Sequence, residues 1–125
     1  MNNVKKISFY LLVALCVFAF SACGKKGVDT SKAISEVKAE AEKMDVSQLR
    51  QMALKYKDAI LEKGEEVEKL MAKIKPTDIL SDEAKKIRAE VDDLNKVLGA
   101  LTERFNVYYD KLKAKGGDVS GLELK

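Results

Sequence analysis

Residues 84–112 read AKKIRAEVDDLNKVLGALTERFNVYYDKL. Within them Ala84, Ile87, Val91, Leu94, Leu98, Leu101, Phe105, Tyr108 and Leu112 recur at alternating spacings of three and four. That is an unbroken heptad seam over four repeats, the pattern of a long helix with one apolar stripe facing a partner helix. Ser81 stands where a cap belongs, and Asp82 and Glu83 suit the positive end of the helix dipole. The periodicity therefore predicts a helix over 81–115, closed by Gly116 and Gly117.

Upstream, 45–75 carries the same alternation: Leu49, Ala53, Tyr56, Ile60, Lys63, Val67, Leu70 and Ile74. Lys63 is its one polar position. Asp45 and Gln48 have the spacing of a capping box, Met44 is placed to staple onto Leu49, and Pro76 ends the helix. The connection, residues 76–80, is short enough to force an antiparallel return. If facing residue numbers sum to 157 or 158, the two seams match throughout. Ile74 then meets Ala84, Ile60 meets Leu98, Tyr56 meets Leu101, and Leu49 meets Tyr108. Large side chains often face small ones, as close packing requires. At 1.5 Å per residue the hairpin is roughly 45 Å long.

A shorter run over 31–44 puts Ile34, Val37, Ala41 and Met44 on one stripe. It is marginal alone and needs a neighbour. Met52, Ala59, Val97 and Val107 give it apolar surface beside the seam, at the end away from the turn. The expected fold is all-α: an antiparallel two-helix coiled-coil hairpin with a shorter N-terminal helix packed at one end, resembling a three-helix bundle. One continuous helix running through Asp45 is the structural alternative. The expected organisation is 1–22 targeting segment, 23–31 tether, 32–115 helical body and 116–125 flexible C-terminal tail.

The first 22 residues are of another kind. Lys5 and Lys6 precede an uncharged run, residues 7–20, and then Ser21 and Ala22. This is the three-part layout of a secretory signal peptide. At about 14 residues the apolar run is short for a membrane-spanning helix. Residues 20–23 read FSAC, and Phe20 is a poor −3 residue for an ordinary signal peptidase. With Cys23 at +1 the stretch resembles the bacterial lipoprotein signal, except that Phe20 stands where an aliphatic residue is usual. The resemblance implies cleavage before Cys23, diacylglycerol on its sulfur and acylation of the new amine, commonly with palmitate. Two or three acyl chains anchor firmly where one does not. The residue after the cysteine is Gly24 rather than the Asp that retains many lipoproteins at the inner membrane. The resemblance thus implies an envelope lipoprotein, at the outer membrane where two membranes exist. Cys16 leaves with the signal, so the mature chain has no second cysteine for an intramolecular disulfide.

The net charge of +3 belongs largely to the targeting segment. Without 1–22 the chain holds 21 basic and 20 acidic residues, which gives no argument for nucleic acid. With no histidine and no free cysteine after processing, general-base and nucleophilic chemistry are poorly supplied. Asp92-Asp93 and Glu65-Glu66 are adjacent carboxylates that point in different directions around a helix, so neither pair builds a shared acid/base site. Glu65–Lys69, Asp82–Lys86 and Asp92–Lys96 are expected ion pairs. No imidazole, thiolate set or calcium-loop spacing suggests a metal. The expectation is a non-enzyme without cofactor or metal. Its partners are a membrane, through lipid on Cys23, and an envelope protein.

Two features point to contacts. Residues 105–109, FNVYY, hold three of the mature chain's four aromatics. Phe105 and Tyr108 belong to the seam, whereas Val107 and Tyr109 lie outside it. The first helix is expected to cover both, and the alternative is a surface for a protein or ligand. The chain also ends in Lys125. Small helical murein lipoproteins end in lysine too, and that similarity implies peptidoglycan attachment through the Lys125 amine. Those proteins are short single helices, unlike this proline-broken hairpin.

Overall fold

A computed structural model describes residues 28–125, which form three helices: α1 (Ile34–Lys43), α2 (Val46–Ala72) and α3 (Asp82–Ala114). The long helices α2 and α3 pack on each other as a hairpin, and α1 lies against α3. The targeting segment, Cys16, Cys23 and the first part of the tether lie outside the described residues.

Each helix boundary has a local cause. Asp45 Oδ1 accepts from the Gln48 backbone N–H at 2.8 Å, and the Asp45 N–H donates to Gln48 Oε1 at 3.1 Å. That reciprocal capping box starts α2, with Met44 extended before it at ψ 144°. The chain therefore breaks at Met44-Asp45 and does not run on as one helix. Met44 and Leu49 both join the core cluster, as a hydrophobic staple requires. At its other end α2 stops at Ala72, three residues before the expected Lys75. Pro76 has no N–H for the Ala72 carbonyl, its ring clashes with that carbonyl, and it steers Lys75 away from helical angles.

Ser81 Oγ accepts from the Ala84 N–H at 3.1 Å and caps α3. Gly116, at φ 72°, ends it. The Gly116 N–H donates to the Lys113 carbonyl and the Gly117 N–H to the Leu112 carbonyl. These are the two bonds of a Schellman motif, which only a residue tolerant of positive φ closes easily. Helix α1 begins three residues later than expected, because Ser31 is diverted. Its N–H and hydroxyl both bond Asp29 Oδ1, a local turn that competes with helix.

Both seams face inward over their whole length, but burial changes along them. Leu49, Ala53, Tyr56, Leu101, Phe105, Tyr108 and Leu112 are buried, as are Ala84 and Val91 nearer the turn, whereas Ile60, Lys63, Val67, Leu70, Ile74, Ile87, Leu94 and Leu98 are half-buried. The core is thus concentrated at the end away from the turn, where other segments thicken the hairpin. Lys63 remains in the seam by bonding Glu66 at 2.8 Å. The rings of Tyr56 and Tyr108 stack with centroids 5.5 Å apart. The expected pairs, Tyr56 with Leu101 and Leu49 with Tyr108, omit this diagonal. Helical side chains lean toward their own N-terminus. In an antiparallel hairpin the two rings consequently lean toward each other across the intervening layer of Ala53 and Phe105.

The C-terminal residues differ most from expectation. Residues 116–125 do not hang free. Leu122 is fully buried in the core cluster, with Val119 and Leu124 packed against it. Arg50 donates to the Asp118 and Ser120 carbonyls at 2.6 and 3.1 Å, and Lys57 to the Gly121 carbonyl at 2.7 Å. The bonds hold the backbone while the leucine supplies apolar burial. Composition alone suggested a tail because a single Leu-Glu-Leu alternation is too short to register as an element.

Candidate functional site

The structure brings the N-terminal strap, α1 and the aromatic part of α3 together at the end away from the turn. Arg104 organises the strap. It is 6% exposed, and its guanidinium donates to the Thr30 and Lys32 carbonyls at 2.7 and 2.6 Å and to the Ala100 carbonyl at 2.9 Å. Its Nε is buried without a partner. Tyr56 reaches the same strap, its hydroxyl donating to the Asp29 carbonyl at 3.1 Å. Beside them Lys32 pairs with Glu40, and Val28 packs on the core cluster. Residues 28–31, expected to be tether, are therefore laid along the bundle together with Lys32.

Electrostatics follow the contacts. Hydrogen bonds from the Ser31 side chain and backbone hold the Asp29 carboxyl below its ordinary range. The hydrogen bond to Glu40 raises the Lys32 amine. Burial raises the Tyr56 hydroxyl and pushes Tyr108 up to about 12, with the neighbouring Tyr56 adding to the shift at Tyr108. At the other strap, Ser120 bonds hold Asp118 below its ordinary range. None of these groups is poised to exchange protons near neutral pH.

A cleft of about 440 Å³ runs between α1 and α3, with Ile34, Ala41, Val107 and Ala114 as apolar lining and Lys38, Glu42, Glu103, Asp110 and Lys111 as charged lining. Lys111 closes one side by pairing with Glu42, while Lys115 donates to the Met44 carbonyl at 2.6 Å and anchors the end of α1. Val107 is thus half-buried in this cleft. Tyr109, also half-buried, stacks on Phe105 with centroids 5.6 Å apart. The two lie two residues apart, about 200° around the helix. One covering helix cannot take both, so the expectation that α1 covers the pair holds in geometry only for Val107.

Lys125 is exposed, three residues beyond buried Leu122. Cys23 lies outside the described residues. Of the expected ion pairs, Glu65–Lys69 forms at 3.7 Å. The other two are replaced by Asp82–Lys85 at 3.2 Å and Asp93–Lys96 at 3.4 Å. Spacings of three and four are both neighbours on a helix, and pairs so exposed contribute little to stability. Asp92-Asp93 and Glu65-Glu66 sit on exposed or half-exposed helix surface. Among the described residues no group of three or more acidic, histidine or cysteine side chains gathers around a metal position, and no helix is long and apolar enough to cross a membrane.

Sequence reading missed Arg104, Arg50 and Lys57. A signal existed for Arg104: it interrupts the apolar flank between Val97 and Val107, where a charge needs a specific partner. Nothing in the chain's order announced that the partners are backbone carbonyls some seventy residues away. No family model, curated protein or solved structure matches this chain.

Proposed function

We propose that this protein is a lipid-anchored bacterial envelope protein, a non-catalytic helical module that presents a rigid hairpin close to the membrane. The observation that carries the reading is the strap. With residues 28–32 held by Arg104 and Tyr56, five Cα steps separate the lipoprotein-like cysteine from the folded body. They span at most about 18 Å. A short leash suits a module that works at a membrane surface. Anchoring through Cys23 supplies the membrane partner, and where two membranes exist Gly24, in place of Asp, favours the outer one.

The test is mass spectrometry of the mature N-terminus, with membrane fractionation of Cys23→Ser. The expected mature chain begins at Cys23 and carries diacylglycerol, and Cys23→Ser accumulates as precursor or leaves the membrane. An unmodified Cys23, or a mature start elsewhere, overturns the reading.

A second reading rests on the α1–α3 cleft. Its size and its mixed apolar and charged lining suit an envelope protein segment docking beside Val107, with Tyr109 on the adjoining surface. A third, peptidoglycan attachment through the Lys125 amine, draws support only from that residue's exposure.

A further inference from the structure

The hairpin tip combines three features that no packing requirement explains. First, it is apolar: Leu80 is 84% exposed, Met71 50% and Ile79 45%. Second, it is basic. Residues 69–88 contain six lysines and arginines against three acids. Lys73, Lys75, Lys86 and Arg88 are exposed, and none of the four has a salt bridge among the described residues. Third, the charge reverses immediately behind. Residues 62–68 carry four acids and one lysine, and 89–93 carry three acids and no base. Apolar point, basic ring and acidic collar follow one another along a single axis.

We infer that the tip of the α2–α3 hairpin docks end-on to an anionic lipid bilayer, with Leu80 and Ile79 entering the headgroup region and the basic ring meeting the phosphates. The spacing favours this arrangement. The ring lies within about 10 Å of the helix ends at 1.5 Å per residue, which matches the Debye length of about 8–10 Å at moderate salt. Of the collar, Glu68 lies about 6 Å from the end of α2 and the other acids about 9–16 Å from the helix ends, so most of its repulsion is screened when the tip touches and grows if the hairpin lies flat. A flat hairpin brings both bands to the surface and gains nothing. The inference is independent of lipidation of Cys23: with the strap held at Arg104, far from the tip, and a leash of at most about 18 Å, a tip docked end-on meets a bilayer other than the one that holds the lipid.

The protein has no tryptophan, so Leu80→Trp installs a single reporter at a position whose side chain supports no packing. Residues 24–125 with this substitution retain every residue of the described fold, and circular dichroism verifies the helix. With vesicles of phosphatidylcholine containing phosphatidylglycerol, the tryptophan emission should shift to the blue and the protein should co-sediment. Pure phosphatidylcholine should give neither. Each of Lys73→Ala, Lys75→Ala and Lys86→Ala should lower the partition coefficient about fivefold, and raised salt should release the protein. Water-like emission with every vesicle, together with no co-sedimentation of the unsubstituted 24–125 chain, overturns the inference. So does a blue shift that follows protein concentration without lipid, which identifies a second copy of the chain as the occupant.

Discussion

Arg104 shows how a buried charge is tolerated without a carboxylate. Desolvating a guanidinium is costly, and the three carbonyls it meets offset that cost with charge-assisted bonds. Two of them belong to the strap, at Thr30 and Lys32, whose side chains are exposed. If Arg104 is lost, water can reach those carbonyls, so the penalty is smaller than for an orphaned charge. Arg104→Met keeps most of the stem packing and removes all three bonds. It should cost about 1–3 kcal/mol, measured by chemical denaturation. Amide exchange should rise selectively across residues 28–33, with α2 and α3 unchanged. Uniform exchange changes would show that Arg104 supports the whole core and does not act through the strap.

The elements owe their limits to short-range chemistry, and the closing turn of α3 is the tightest of them. A Cβ built on Gly117 would lie 2.2 Å from Leu112 Cδ1 and 2.8 Å from Val46 Cγ1. The glycine lets the chain turn directly over the buried end of the seam and send Leu122 back into the core. Gly117→Ala should therefore force Leu112 to move or the tail to lift, at about 1–3 kcal/mol. Gly116→Ala meets open space and strains only its positive φ, so it should cost about 1 kcal/mol. Thermal or denaturant unfolding of the two variants tests the order. Equal losses would mean that close packing at Gly117 relaxes freely. The same element-level logic explains α2: a capping box at one end and a proline four residues past the other, both legible before folding.

Across the whole molecule, the stacked pair Tyr56 and Tyr108 joins the long helices inside the one region of deep burial. Burial raises both hydroxyls, and Tyr108 reaches about 12 from an ordinary 10.0. The folded state holds these protons more tightly than the unfolded chain does. Their contribution is complete below pH 10 and is lost as pH rises toward about 12. The loss is on the order of 2 kcal/mol for Tyr108. Denaturant midpoints should fall over that window, and Tyr108→Phe should fall less. An unchanged pH profile in Tyr108→Phe would assign alkaline loss to other groups. The hairpin arm beyond this region buries only Ala84 and Val91 of its seam and leaves the other seam residues half-buried, so it should exchange amides faster than the end held by the two straps.

Two long amphipathic helices, their antiparallel return, the capping box at Asp45 and the stop at Pro76 were all determined by the sequence itself. Each depends on residues within a few turns of one another, or on a heptad repeated often enough to be unambiguous. The charge banding at the tip is equally local, although only exposure shows that Leu80 is left uncovered there. The tertiary structure alone decided the rest. Residues 28–32 and 116–124 lack periodicity, so their places depend on donors remote in the chain: Arg104 and Tyr56 for one, Arg50 and Lys57 for the other. A hydrogen bond to a backbone carbonyl leaves no mark on the accepting residue's identity. That is why two segments that read as tether and tail became the straps that complete the core.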